Sequence, residues 1–228
     1  MTRLAVIPPA PRRFATTDPT LEVELHRIFC VGRNYAAHAR EMGNDDREPP
    51  FFFTKPASAA VASGATLSYP PATSNLHHEA ELVLLIGIGG ADIAIDTALE
   101  HVWGYGVGND LTRRDLQAEA KEMRRPWDMA KGFDASAVLG PLHPASEIGH
   151  PSKGRITAQV NGELRQEADL SDMIWSVAEI VSHLSRLVSL CPGDLIMTGT
   201  PEGVGSVAPG QDCVVAIEGL GEARFRYA

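Results

Sequence analysis

The run Leu82-Val83-Leu84-Leu85-Ile86, opened by His78-Glu79-Ala80-Glu81 and closed by Gly87, constrains this chain more than any other stretch. A short run of valine, leucine and isoleucine that stops at glycine predicts a buried strand. Side chains at i and i+2 of a strand share a face, so Glu79 and Glu81 project together at its mouth. Two carboxylates side by side repel unless a cation lies between them. Their oxygens suit a hard divalent ion: Mg²⁺, Mn²⁺ or Ca²⁺. An exposed strand start would carry the same pair, and the pair alone does not separate these readings. A third acid stands in Gly104-Tyr105-Gly106-Val107-Gly108-Asn109-Asp110, where a glycine-rich extended segment ends on a carboxylate.

The surrounding segments predict a chain of mixed α/β content that is mainly β. Residues 25–32 end in a short strand, and residues 51–56 form another that delivers Lys55 to its end. Residues 155–160 alternate with period two, Asn161-Gly162 is a two-residue hairpin turn, and the chain returns from Glu163. Further strands are expected at 194–198 and around 214–217 and 223–227. Helices are expected at 35–42, with Asn34 as N-cap and Gly43 as the stop, and at 95–103. Two more are expected from a Thr112 cap, with Asp115 completing a capping box, and at 171–190. On the first of these His38 and Glu41 lie one turn apart, where a carboxylate can orient a proton-accepting imidazole. A solvated surface pair would have the same spacing. Arg114 shares a helix face with Gln117 one turn beyond Asp110. Lys131 is placed in an aromatic-flanked loop, within reach of an anion if the acids are near. Residues 43–50 read as a loop able to close over a site.

The 228 residues suit one large domain from 25 to 228, preceded by a proline-rich arm over 1–24. A net charge of -9 argues against nucleic acid as a partner. The longest apolar run is too short to cross a membrane, and the N-terminus lacks a signal-peptide core. The three scattered cysteines predict reduced, buried thiols, and a cytoplasmic location follows as the expectation.

Six segments in order resemble the fumarylacetoacetate hydrolase family. They are Val31-Gly32-Arg33-Asn34-Tyr35 followed by His38 and Glu41, Phe53-Thr54-Lys55-Pro56, His78-Glu79-Ala80-Glu81-Leu82, and Asn109-Asp110 followed by Arg114 and Gln117. Lys131-Gly132-Phe133-Asp134 and Thr198-Gly199-Thr200-Pro201 followed by Gly203-Val204-Gly205 complete the set. The resemblance covers nearly the whole chain from residue 25. It implies a β-roll or distorted barrel with a few peripheral helices, usually as a homodimer. It also implies one divalent cation, Mg²⁺ or Mn²⁺, on Glu79, Glu81 and Asp110. His38 and Glu41 match a water-activating dyad on a lid, and Lys131 matches a lysine near the metal. Arg114 and Gln117 match residues beside metal and substrate, and Thr200 matches a threonine at the substrate's carboxylate end. Arg33 and Tyr35 are expected beside the substrate as well. The implied reaction is hydrolysis of a small anionic keto acid, an acylpyruvate, with fumarylpyruvate of the gentisate pathway as the nearest fit. Decarboxylation of oxaloacetate on the same metal site is the rival expectation.

Overall fold

The structure, a computed structural model, describes residues 5–7, 9–35 and 48–228. Apart from Tyr35, the expected helix over 35–42 lies outside the described residues, and His38 and Glu41 with it. No helix among the described residues is long and apolar enough to cross a membrane.

The architecture is the mainly β roll that was expected. An eight-stranded mixed sheet runs Phe51–Lys55, Ile28–Gly32, Leu195–Met197, Ala80–Ile86, Val102–Asp110, Ala137–Leu139 and Ala60–Ala62, with His143–Pro144 added to the edge of Val102–Asp110. A five-stranded sheet, Glu163–Asp169, Arg155–Val160, Asp212–Ile217, Gly221–Tyr227 and Ala65–Leu67, packs against it. Among the described residues four α-helices lie at the edges: Arg114–Glu122, Asp128–Lys131, Ala145–Ile148 and Val177–Ser185.

Strand Ala80–Ile86 is buried along its whole length. Leu82, Leu84 and Ile86 join the core between the two sheets, with Ile156, Ala158, Val160 and Val215. Val83 and Leu85 join a second cluster on the opposite face, with Ile28, Leu139, Leu195 and Met197. A strand packed on both faces reads as a continuous apolar run rather than an alternating one. Burying each leucine is worth about 2 kcal/mol, and a slip of one residue would drive Glu81 into the main core. The same apolar residues that hold the strand therefore fix where its acids point.

The glycine-rich run forms strand Val102–Asp110, antiparallel to Ala80–Ile86, with Gly108 opposite Glu81. A Cβ on Gly108 would stand 2.5 Å from Val83 Cγ1, so this close pairing tolerates no side chain there. The strand takes the last two residues of the helix expected over 95–103, of which only the 3₁₀ turn Ala98–His101 remains. Pairing of Val102 with Ile86 overrides the local helical pattern here.

Two other helix starts also differ from expectation. Arg113, not Thr112, occupies the N-cap position of helix Arg114–Glu122. Thr112 Oγ1 instead donates to the Asp110 carbonyl at 3.0 Å, while Asp115 accepts from Thr73 Oγ1 at 2.6 Å and Ser74 N–H at 2.8 Å. The helix expected over 171–190 is confined to Val177–Ser185, because a capping box of Ser176 and Glu179 starts it late. Lys131 is the last residue of helix Asp128–Lys131 rather than part of a loop. The Asn161-Gly162 hairpin forms as read, with φ of 50° and 79° at the two turn residues. The arm is docked: Arg13–Ala15 pairs with Glu22–Glu24, and Phe14 is buried in the second cluster.

Candidate metal centre and cleft

Glu79 falls in a one-residue break between strands Leu76–His78 and Ala80–Ile86. Its backbone is tied to the neighbouring strand end: Glu79 N–H donates to Asn109 Oδ1 at 3.0 Å, and Asp110 N–H donates to the Glu79 carbonyl at 2.9 Å. These bonds bring Asp110 beside Glu79, and the period of the strand puts Glu81 on the same side. Ligand oxygens of Glu79, Glu81 and Asp110 lie within 4.8 Å of one another, and all three residues are buried.

Three cations answer them. Lys131 Nζ bridges Glu79 Oε2 at 2.7 Å and Asp110 Oδ2 at 2.8 Å. Lys55 Nζ lies 2.7 Å from Asp110 Oδ1 and also donates to the carbonyl of Lys131. Arg114 pairs with Glu79 Oε1 through one guanidinium nitrogen and donates to Gln117 Oε1 at 2.6 Å through another. None of these cations sits on Glu81. Among the described residues that carboxylate accepts only from Gly199 N–H, at 2.8 Å. Gly199 has φ 98°, and a Cβ there would meet Asn34 Cβ at 2.7 Å, so only glycine brings this N–H so close.

The titration behaviour follows from this unequal sharing. Burial pushes the Glu79 carboxyl up, but Lys131 and Arg114 outweigh it and hold Glu79 far below the usual carboxylate range. Lys131 shows the converse: burial works against its charge, and Asp110 and Glu79 overcome it to raise the ammonium above its ordinary value. Glu81 is pushed well above the ordinary range by burial, then by the charges of Asp110 and Glu79. Three converging carboxyl groups, one of them short of a positive partner, fit a divalent cation.

A stability consequence follows. In EDTA-treated protein Glu81 binds its proton more tightly folded than unfolded. Its contribution is therefore full below its unfolded pKa and is lost as pH rises through the raised folded value. A divalent ion takes the place of that proton. Stabilisation by Mn²⁺ is expected to be larger at the higher of two pH values above the ordinary carboxylate range, and Glu81→Gln should flatten the EDTA profile across that interval. Thermal midpoints with and without Mn²⁺ test this; equal Mn²⁺ stabilisation at both pH values would refute it.

The acids stand at one side of a cleft whose wall includes Arg33, Arg114, Gln117, Lys121, Trp127, Lys131 and Thr200. Of the residues expected at the site, the structure thus brings together Glu79, Glu81, Asp110, Lys131, Arg114, Gln117, Arg33 and Thr200. Tyr35 is not among the lining residues. Its ring is buried, its backbone bridges to Met173, and burial raises its hydroxyl pKa. Neither His77 nor His78 belongs to the acid cluster. His77 is pushed down to about 4 by burial and by Arg114.

Lys121 was not foreseen as a site residue. It lies over the Trp127 ring at 5.1 Å, and among the described residues it has no carboxylate partner. Its pKa is lowered by burial, then by Arg114 and Arg33. Its position four residues beyond Gln117, in the last turn of a short helix, carried no signal by itself. Arg33, in the left-handed region at φ 60°, lies over Phe51 at 5.4 Å and 3.9 Å from Glu48.

The family model described as "Fumarylacetoacetate (FAA) hydrolase C-terminal" matches residues 27–227. The solved structure of fumarylpyruvate hydrolase from Pseudomonas aeruginosa in complex with Mn²⁺ and pyruvate is similar over 99% of each chain, with 55% identity and a TM-score of 0.95. Fumarylpyruvate hydrolase of a Ralstonia species is 45% identical over 77% of this chain and 91% of its own. A mitochondrial oxaloacetate tautomerase of Arabidopsis thaliana is 42% identical over 87% of this chain and 89% of its own.

Proposed function

Because the chain belongs to the fumarylacetoacetate hydrolase family, we propose that it is a metal-dependent hydrolase that splits an acylpyruvate, with fumarylpyruvate as the substrate. The observation that carries the reading is the convergence of Glu79, Glu81 and Asp110 at a cleft with two further cations, Arg33 and Lys121, on its wall. Likeness to two fumarylpyruvate hydrolases supports the choice of acyl group.

Glu79, Glu81 and Asp110 would hold Mg²⁺ or Mn²⁺. Bound there, the ion supplies a Lewis acid for the keto-acid end of the substrate. Arg114 and Lys131 hold Glu79 ionised, and Lys131 orients Asp110 beside it. Thr200 and Gln117 offer hydrogen bonds to substrate oxygens, and Tyr35 supports the strand end that carries Arg33. His38, oriented by Glu41, takes a proton from water, whose oxygen bonds to the distal carbonyl carbon. The bond from that carbon to the methylene then breaks, and the electron pair leaves with the methylene, which is reprotonated. Fumarylpyruvate and water give fumarate and pyruvate, and the atoms balance.

The second carboxylate of such a substrate needs a cation in the cleft. Lys55 is committed to Asp110, and neither Arg124 nor Arg125 lines this cleft. Arg33 and Lys121 do, and an incoming carboxylate would relieve their mutual repulsion. Lys121→Met is expected to raise KM for fumarylpyruvate about tenfold while changing KM for the monocarboxylate acetylpyruvate less than about twofold. Equal effects on the two substrates would remove Lys121 from this role.

The deciding experiment is turnover of fumarylpyruvate beside oxaloacetate, with Mg²⁺ or Mn²⁺ and then with EDTA. Metal-dependent appearance of fumarate and pyruvate is expected. The oxaloacetate tautomerase relative favours a second reading, in which the same site interconverts the keto and enol forms of oxaloacetate. Tautomer exchange with fumarylpyruvate untouched would establish that reading instead, and release of CO₂ from oxaloacetate would make the protein a decarboxylase.

A further inference from the structure

Gln166, on strand Glu163–Asp169, is fully buried and does not line the cleft. Its Oε1 accepts from Ala80 N–H at 3.0 Å and lies 2.9 Å from His78 Nδ1. Its Nε2 donates to the Pro201 carbonyl at 2.8 Å and to Thr200 Oγ1 at 2.8 Å. The orientation of a carboxamide is set by the roles of its partners. Two partners here are backbone groups whose roles are fixed. Ala80 N–H can only donate, and the Pro201 carbonyl can only accept. The amide of Gln166 therefore has one orientation, and both of its N–H protons are assigned.

Thr200 receives one of those protons on an oxygen lone pair. A hydroxyl has one proton of its own to give. Thr200 lines the cleft, and no described residue accepts that proton. We infer that Gln166 is a positioning residue that fixes the Thr200 hydroxyl as a hydrogen-bond donor into the cleft, suited to a carboxylate oxygen of the substrate. The inference rests on the reading of the cleft as a keto-acid site. A charged acceptor gains most from such a donor, since charge-assisted hydrogen bonds are about twice as strong as neutral ones. The controlling N–H belongs to Ala80, the residue between Glu79 and Glu81. One backbone segment thus sets both the acids that would hold the ion and the donor that would hold the carboxylate. The same polarity requires His78 to carry a proton on Nδ1.

The test is pyruvate binding to the Mn²⁺-loaded protein by titration calorimetry. Gln166→Met keeps the length of the side chain and removes its donors. It is expected to weaken pyruvate binding about tenfold and to leave the Kd for Mn²⁺ within about twofold. Thr200→Val should lose a similar factor, Thr200→Ser should bind as wild type, and Gln166→Met should add nothing in the Thr200→Val background. If Gln166→Met does not fold, Gln166→Glu serves. Its carboxylate would accept the Thr200 proton and turn it from the cleft, with the same expected loss. Failure of the wild type to bind pyruvate would count against the keto-acid reading. Wild-type binding with unchanged affinity in the Gln166 variant, or additive losses in the double variant, would overturn the role of Gln166 alone. Nitrogen NMR of metal-free protein gives a separate check, because a bare Nδ1 on His78 would overturn the amide orientation.

Discussion

Glu81→Ala is expected to abolish turnover, with a loss beyond about a thousandfold, and to weaken Mn²⁺ binding by more than about a hundredfold. Among the described residues Glu81 is the acid least committed to the protein's own cations: Lys131, Lys55 and Arg114 serve Glu79 and Asp110, while Glu81 has only Gly199 N–H. Removing it takes away the ligand most available to an incoming ion and leaves the cation-paired carboxylates in place. The variant should therefore fold, because the methyl of alanine replaces a buried carboxyl that costs stability in the absence of metal. Calorimetry with Mn²⁺ and initial rates on fumarylpyruvate measure both effects. Full Mn²⁺ affinity in Glu81→Ala would show that the ion does not use this residue.

Lys131→Met should act in the opposite way, on the fold first. The ammonium of Lys131 is buried and makes two short contacts, 2.7 Å to Glu79 and 2.8 Å to Asp110. Methionine fills similar space without the charge. Two buried carboxylates would then face each other with one cation fewer, and breaking a buried pair in this way costs about 3–5 kcal/mol. A divalent ion between the same carboxylates supplies the missing charge. The variant is expected to be less stable by that amount in EDTA and to recover most of it in Mn²⁺, while turnover stays at least about a hundredfold low. Urea unfolding under the two conditions gives the comparison. Equal stability of variant and wild type in EDTA would mean that Lys131 does not hold the acids apart.

The acid pair was legible in the sequence because its spacing and the apolar run beside it are local signals. Period two puts Glu79 and Glu81 on one side wherever the strand lies, and burial of Leu82, Leu84 and Ile86 then fixes which side. Asp110 could be placed at the end of an extended segment, but its approach to Glu79 depends on the Asn109 side chain and a cross-strand N–H. The pattern over 95–103 is locally helical, whereas the sheet takes its end through pairing of Val102 with Ile86, with Trp103 at the bulge beside it. Gln166 left no trace at all. It lies in a hairpin strand eighty-six residues from Ala80, and only folding puts its amide between Ala80 and Thr200. Lys121 escaped for the same reason, since its exposure to the cleft depends on how its helix docks. His38 and Glu41, expected from sequence as the base and its partner, lie outside the described residues.

Strand Ala80–Ile86, apolar on both faces, also bears on how such a protein can diversify. Backbone amides of this strand should exchange with solvent only on global unfolding, so Glu81 is carried by the part of the molecule least free to drift. Arg33, Lys121 and Trp127 belong instead to a strand end and to short helical segments at the rim. Substitutions there can change which acyl group is accepted at little cost to folding, whereas the charged centre resists change because Glu81 is built into the strand on which the whole roll depends and Glu79 and Asp110 stand at strand ends tied to it.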